Sequence, residues 1–210
     1  VLQIGALLIV IIFQPELRRA LAKLGRGRID LTPPNVVNAQ EVVENILKAV
    51  LNLSKKRVGA LIVFERKTGL KEVIDSGTRL SAVISAELLE NLFFTNSPLH
   101  DGAVIIREDT IEAAGCFLPL SDNKQIGQEL GTRHRAALGI SEVSDSVTLV
   151  ISEETGVISV AQDGTLIRYL DSKAIRDLLE ELYYVKQSNR YRALRLKRKG
   201  RDEREHEKST

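Results

Sequence analysis

The run Gly59-Ala60-Leu61-Ile62-Val63-Phe64-Glu65 limits what this chain can fold into more than any other stretch. An unbroken apolar segment between turn signals reads as a buried strand. Ahead of it, Asn38-Ala39-Gln40-Glu41 has capping-box spacing. Val42, Val43, Ile46, Leu47, Val50 and Leu53 then recur at three and four, which predicts an amphipathic helix. Lys55-Lys56-Arg57 closes that helix where its dipole favours cations. A short turn or helix between Gly69 and Gly77 follows, and a strand is expected at 80–84. Ser85 should cap a helix carrying Leu88, Leu89, Leu92 and Phe93. Strands at 104–107 and 111–118, joined at Glu108-Asp109, precede a helix that starts near Thr132 and ends near Gly139. Strands are expected again at 147–151, 157–161 and 166–170, the last two joined at Asp163-Gly164. A final helix, capped by Asp171 or Ser172, carries Ile175, Leu178, Leu179 and Leu182. Helices and strands alternate early and strands pair by hairpins later. That order predicts an α/β fold with a mixed central β-sheet flanked by helices on both faces.

The hydrophobic residues, 43% of 210, suffice for a real core, whereas aromatics at 4% argue against base-stacking platforms. Cys116 is the single cysteine, so no intrachain disulfide or cysteine-paired zinc site can form, and its apolar setting reads as a buried small hydrophobe. The formal net charge of +2 conceals an asymmetry. Residues 186–210 hold ten Lys/Arg against four Asp/Glu, which leaves a mildly acidic body and a basic tail. With Tyr191 as its one aromatic residue, the tail reads as a solubilising or lipid-proximal segment rather than a nucleic-acid binder.

Residues 1–13 are charge-free and almost wholly apolar, yet short of the roughly 20 needed to span a bilayer. Val1 stands first and methionine is absent. The chain therefore reads as a piece of a longer protein that begins inside a transmembrane helix; a buried core helix is the alternative, whereas a signal peptide would carry its charges before the apolar run. Arg18, Arg19, Lys23, Arg26 and Arg28 follow at once, which places that side in the cytoplasm. The expected organisation is the end of a transmembrane helix over 1–14 and a cytoplasmic connector over 15–36. A domain over 37–184 and a charged tail over 185–210 complete it.

Three polar clusters sit beside strand or helix ends, where α/β proteins place their sites. His100-Asp101-Gly102-Ala103 offers a base, a metal ligand or both, beside residues small enough for a ligand to approach the backbone; alternatively it is a turn. Gly131-Thr132-Arg133-His134-Arg135 combines a helix start, which Thr132 can cap, with two guanidiniums, an arrangement suited to phosphate. The alternative is a basic surface helix. Ser152-Glu153-Glu154-Thr155-Gly156 is a polar turn whose two carboxylates could bind a divalent cation, hydrogen-bond a base or sugar, or simply be solvated. Carboxylate and His at one cluster with Arg at another is what metal-assisted phosphoryl chemistry needs. Neither a Walker lysine motif nor a dinucleotide Gly-x-Gly-x-x-Gly pattern is present.

Asp101-Gly102-Ala103 together with Gly131-Thr132-Arg133-His134-Arg135 resembles the paired signatures of the diadenylate cyclases. The agreement continues through Ala136-Ala137-Leu138-Gly139-Ile140-Ser141-Glu142 and Ser152-Glu153-Glu154-Thr155-Gly156, and covers about residues 37–183. The apolar run followed by Phe13-Gln14-Pro15-Glu16-Leu17-Arg18-Arg19 is similar to the membrane-bound cyclase A type, whose catalytic domain lies on the cytoplasmic side of the cell membrane.

The resemblance implies synthesis of cyclic di-AMP from two ATP with release of two pyrophosphates, using Mn²⁺, Co²⁺ or Mg²⁺, in a face-to-face homodimer holding one ATP per subunit. It implies that Asp101 assists deprotonation of the ribose 3′-hydroxyl and shares the metal with His100. Gly102 and Ala103 would meet the nucleotide through their backbone. Gly131, Thr132, Arg133 and His134 would hold the phosphates with support from Arg135, and Ser152 and Glu154 would lie on the phosphate and metal side. Phe117 and Leu118 would line the adenine pocket; the family often has Tyr at the former position. A membrane-anchored regulatory protein and a phosphosugar mutase are the partners it implies. A membrane-tethered nucleotide-sensing module without turnover is the competing expectation.

Overall fold

Each residue of the 59–65 run has a partner layer because its strand lies in the middle of the sheet, as a computed structural model of the chain shows; it describes residues 39–122 and 130–183. The elements run α1 (Ala39–Lys56), β1 (Ala60–Glu65), α2 (Lys71–Ser76), β2 (Thr78–Val83), α3 (Ala86–Leu92), β3 (Ala103–Arg107) and β4 (Thr110–Cys116). They continue with α4 (Thr132–Val143), β5 (Val147–Ile151), β6 (Ile158–Gln162), β7 (Thr165–Arg168) and a helix α5 over residues 172–183. The seven strands form one sheet in the order β2-β4-β3-β1-β5-β6-β7. Among the described residues only β1 and β3 pair in parallel, with Ile62 opposite Val104. Every other neighbouring pair is antiparallel.

The alternation of side chains along β1 explains its unbroken apolar run. Ile62 and Phe64 enter a core with Val42, Ile46, Val50 and Leu53 of α1, Leu89 of α3, and Ile175 and Leu179 of α5. Leu61 and Val63 enter a second core with Leu70, Ile74 of α2, and Ala136, Ala137 and Ile140 of α4. Helices therefore cover both faces of a mixed sheet, as the element order predicts. Two expected caps form: Ser85 Oγ accepts the Leu88 N–H at 3.2 Å, and Asp171 Oδ1 accepts the Ala174 N–H at 2.7 Å. Cys116 is buried, and burial pushes its thiol up to about 11, so it remains a protonated, small hydrophobe.

The helix α4 departs from the sequence reading at both ends. Gly131, not Thr132, is its N-cap: Gly131 is extended and Thr132 is already the first helical residue. At the other end α4 passes through Gly139 and stops at Val143. Gly139 is a packing position rather than a stop signal, because the Pro119–Ser121 segment crosses the helix there. A Cβ on Gly139 would lie 2.1 Å from the Pro119 carbonyl oxygen and 2.8 Å from the Ser121 nitrogen.

The expected transmembrane end over 1–14, the connector over 15–36, Asn38 of the capping box and the tail over 185–210 lie outside the described residues, as do 123–129 of the loop after β4. Among the described residues no helix is long and apolar enough to cross a membrane.

Gly→Ala inside a helix usually stabilises, by about 0.5–1 kcal/mol. Gly139→Ala should have the opposite sign and cost about 1–3 kcal/mol, since the added methyl meets backbone that cannot rotate away. Urea denaturation of the two proteins measures it; a variant as stable as the parent would show that the Pro119 crossing yields freely.

Candidate functional site

The strand directions bring the three polar clusters to one end of the sheet. β1 and β3 begin at that end, so Gly59 and Asp101-Gly102 lie there. β5 runs antiparallel to β1 with Ala60 opposite Ile151, which delivers Ser152 and the turn beyond it to the same end. β4 brings Cys116 opposite Ala103, so Phe117 arrives there as well. β7 ends there too, with Arg168 opposite Ser159.

A cleft of about 420 Å³ opens between the N-terminus of α4 and the turn after β5. Leu130, Gly131, Thr132, Arg133 and His134 form one wall; Ile151, Ser152, Glu153, Glu154 and Thr155 form the other, with Arg168 of β7. At the helix start the His134 and Arg135 amides both donate to the Gly131 carbonyl, at 3.1 and 3.3 Å. The Thr132 and Arg133 amides precede the first intrahelical acceptor and no side chain caps the helix. A helix start of this kind accepts an anion.

Arg133 Nη1 donates to Glu153 Oε2 at 2.7 Å. Glu153 thus directs the guanidinium and is not free to pair with Glu154 around a cation. The side chains retain 24% and 61% of their exposure, so the pair is worth about 0–1 kcal/mol and yields readily to a stronger anion. The strand start beneath it permits this contact: a Cβ on Gly59 would lie 2.7 Å from Arg133 Nη1 and 2.9 Å from Glu153 Oε2. The turn is held from the opposite side, where Ser54 Oγ donates to the Gly156 carbonyl at 2.6 Å, and the Thr155 N–H donates to Ser152 Oγ at 3.3 Å.

His134 is buried at 5% exposure and its Nε2 has no hydrogen-bond partner among the described residues. Burial, with the positive charge of Arg168 adding to it, pushes its pKa below the ordinary imidazole value. His134 is therefore a neutral imidazole with an unanswered ring nitrogen, not a third cation. Arg135 points away from the cleft: its Nε and Nη2 donate to the Ser121 carbonyl at 3.3 and 3.2 Å, which ties the segment after β4 to the helix.

The His100–Ala103 cluster lies on the other side of β1, two strand spacings or about 10 Å along the sheet from the turn after β5. Asp101 is exposed. His100 Nδ1 meets the Ser97 carbonyl, which fixes the tautomer with hydrogen on Nδ1 and leaves Nε2 as a lone-pair donor. That donor set suits a divalent cation, and no group of three or more His, Cys, Asp or Glu assembles among the described residues. A cation here would take the rest of its shell from phosphate and water, as Mg²⁺ commonly does. Gly102 has φ +128°, and a Cβ there would lie 2.7 Å from the Gly115 carbonyl carbon and 2.9 Å from the Cys116 nitrogen, so β4 dictates the glycine. Ala103 is fully buried, which leaves its backbone alone to meet a ligand. Phe117 is 71% exposed while Leu118 is half-buried against the second core.

Sequence reasoning missed Arg168 and the role of Glu153. The signal for Arg168 lay in the alternation of Thr165-Leu166-Ile167-Arg168, which puts Arg168 on the same face as the inward Leu166.

Residues 47–166 match the family described as DAC, DisA bacterial checkpoint controller nucleotide-binding. The chain is 53% identical over 178 residues to the cyclic di-AMP synthase CdaA of Bacillus subtilis, covering 84% of this chain and 65% of that one. It is 50% identical over 184 residues to a diadenylate cyclase of Listeria monocytogenes, covering 86% and 67%. It thus spans about two thirds of the length of these curated relatives. Among solved structures, a double mutant of DacA from Staphylococcus aureus superposes with a TM-score of 0.69 at 49% identity, covering 70% of this chain and 98% of that one. A Bacillus cereus protein described as a hypothetical membrane spanning protein gives 0.60 at 38% identity, covering 77% and 80%.

The neutral burial of His134 predicts a pH signature. On acidification the unfolded chain takes up a proton near the ordinary value of about 6.5, whereas folded His134, with Arg168 facing it and the Arg133–Glu153 pair beside it, resists until lower pH. This contribution is complete above about pH 6.5 and is lost as pH falls toward the lowered folded pKa. Urea midpoints between pH 7.5 and 5 should fall more steeply for the parent than for His134→Gln. Parallel curves would show that the imidazole is not buried in its neutral form.

Proposed function

The chain belongs to the diadenylate cyclase family, and from that premise and the cleft we propose that it condenses two ATP into cyclic di-AMP, releasing two pyrophosphates. The observation that carries the reading is the gathering, at one sheet end, of Asp101-Gly102, the α4 start with Arg133, and the Ser152–Thr155 turn. The open start of α4 and Arg133, both lining the cleft, support reading it as an anion site, with the unpartnered His134 Nε2 buried behind them. A triphosphate held there competes with Glu153 for Arg133 and gains paired, charge-assisted hydrogen bonds. Ser152 and Glu154, on the opposite wall, face the same phosphates. The adenine lies toward Phe117 and Leu118.

Each half-reaction forms a bond from a ribose 3′-oxygen to an α-phosphorus and breaks the bond from that phosphorus to pyrophosphate. Asp101 accepts the hydroxyl proton, with Gly102 and Ala103 holding the approaching ribose through their backbone. Arg133 and the Thr132 and Arg133 amides offset the charge on the phosphate oxygens as it builds. His100 and Asp101 are the residues that would hold a divalent cation, Mn²⁺, Co²⁺ or Mg²⁺, whose charge would lower the barrier at the phosphate. One subunit with one ATP cannot close the ring, since two hydroxyls must attack two phosphates. Two copies meeting face to face, each presenting its 3′-hydroxyl to the other's phosphate, complete the reaction. Attachment to the cell membrane, with the catalytic part on its cytoplasmic side, fits the apolar and basic character of residues 1–28.

Incubation with ATP and Mn²⁺, followed by mass identification, should give cyclic di-AMP. Asp101→Asn should lower synthesis about 100-fold or more while binding ATP within a few-fold of the parent. A parent that binds ATP and releases no cyclic dinucleotide would be a nucleotide sensor, and the cyclase reading would fall.

A further inference from the structure

Arg168 lines the cleft, and among the described residues it has no counter-ion. It closes β7 opposite Ser159 and shares the α4-facing side of the sheet with Leu166, which packs on the second core. Among the described residues its buried Nε has no hydrogen-bond partner. The Tyr169 ring lies 5.0 Å from its Cζ. Near it stand the unpartnered His134 Nε2 and the open start of α4. Arg168 is half-buried, and a guanidinium's donors are arranged to bind phosphate in pairs.

We propose that Arg168 binds the terminal phosphates of ATP and stays on the pyrophosphate as it leaves. The assignment rests on the ATP reading of the cleft and follows from strand order. From Phe117 at the end of β4 the sheet passes β3, β1, β5 and β6 before reaching β7, so Arg168 stands farthest from the adenine end. The part of ATP farthest from the base is the β,γ-diphosphate. When the bond to the α-phosphorus breaks, its electron pair goes to the bridging oxygen of pyrophosphate. Negative charge therefore grows where Arg168 reaches, and Arg168 acts more strongly on the transition state than on bound ATP.

The test uses the full chain, the parent beside Arg168→Gln and Arg168→Lys, with calorimetric affinities for inorganic pyrophosphate and AMP and rates of cyclic di-AMP synthesis. Arg168→Gln should weaken pyrophosphate binding at least 10-fold and lower kcat about 100-fold. AMP affinity and the urea midpoint should stay at the parent values. Arg168→Lys, which keeps the charge but not the fork, should fall between. Unchanged pyrophosphate affinity in Arg168→Gln would overturn the assignment. So would equal losses of AMP and pyrophosphate binding in both variants together with a lowered urea midpoint, since that pattern marks a purely structural role. If the parent makes no cyclic dinucleotide, the cyclase reading fails. The pyrophosphate comparison still decides whether Arg168 is an anion contact.

Discussion

The pairing of β1 with a parallel β3 on one side and an antiparallel β5 on the other decides where this protein can do chemistry. In an all-parallel α/β sheet the crevice lies beyond the C-terminal ends of the strands. Here those ends of β1 and β3 are closed. Arg107 Nε and Nη2 donate to the two Glu65 oxygens at 2.7 and 3.0 Å, and the Leu70 N–H donates to the same carboxylate at 3.1 Å. Glu65 is 7% exposed, so loss of Arg107 would take the counter-charge from a buried carboxylate. The antiparallel strands turn the opposite end into the open one, since β4, β5 and β7 all finish where β1 and β3 begin.

Much of this was legible because the deciding quantities are local. The three-and-four spacing of Val42 through Leu53 and the unbroken 59–65 run fix a helix and a central strand by burial alone, and both faces of β1 are apolar for that reason. Side-chain caps at Ser85 and Asp171 are local as well. What could not be read depends on a second segment. Gly139 looks like a helix stop until the Pro119 carbonyl is found against it. Glu153 and Glu154 are equivalent on paper, and only the crossing of α4 over the turn assigns Arg133 to Glu153. Arg168 looks like one more exposed charge on an edge strand, and its buried Nε becomes meaningful only beside His134 from a segment more than thirty residues away.

Gly59 links the central strand to the chemistry. The Arg133 guanidinium lies over its Cα, at distances where any side chain would intrude on both members of the Arg133–Glu153 pair. The residue just ahead of the strand that organises the core is thus also the floor beneath the Arg133–Glu153 pair. A weak, half-exposed ion pair on that floor is well suited to a site that must fill and empty. In the proposed function Glu153 would hold the guanidinium in place until a triphosphate displaced it, since the pair is worth about 1 kcal/mol or less.

The separation of the two halves of the site bears on why the proposed reaction needs two copies. Asp101 enters from β3 and Arg133 reaches the turn after β5, with β1 between them. A base and a phosphate cradle about 10 Å apart cannot both act at one bond, because attack needs the reacting atoms within about 3–3.5 Å. They can serve the two ends of one nucleotide: its ribose toward Asp101 and its phosphates toward Arg133. That nucleotide then offers a 3′-oxygen at one end and an electrophilic phosphorus at the other, each in want of a complement that only a second, inverted nucleotide supplies. On the proposed reading a single cleft of this geometry would hold ATP without a reaction open to it. In the proposed face-to-face pairing the same spacing would become two simultaneous lines of attack.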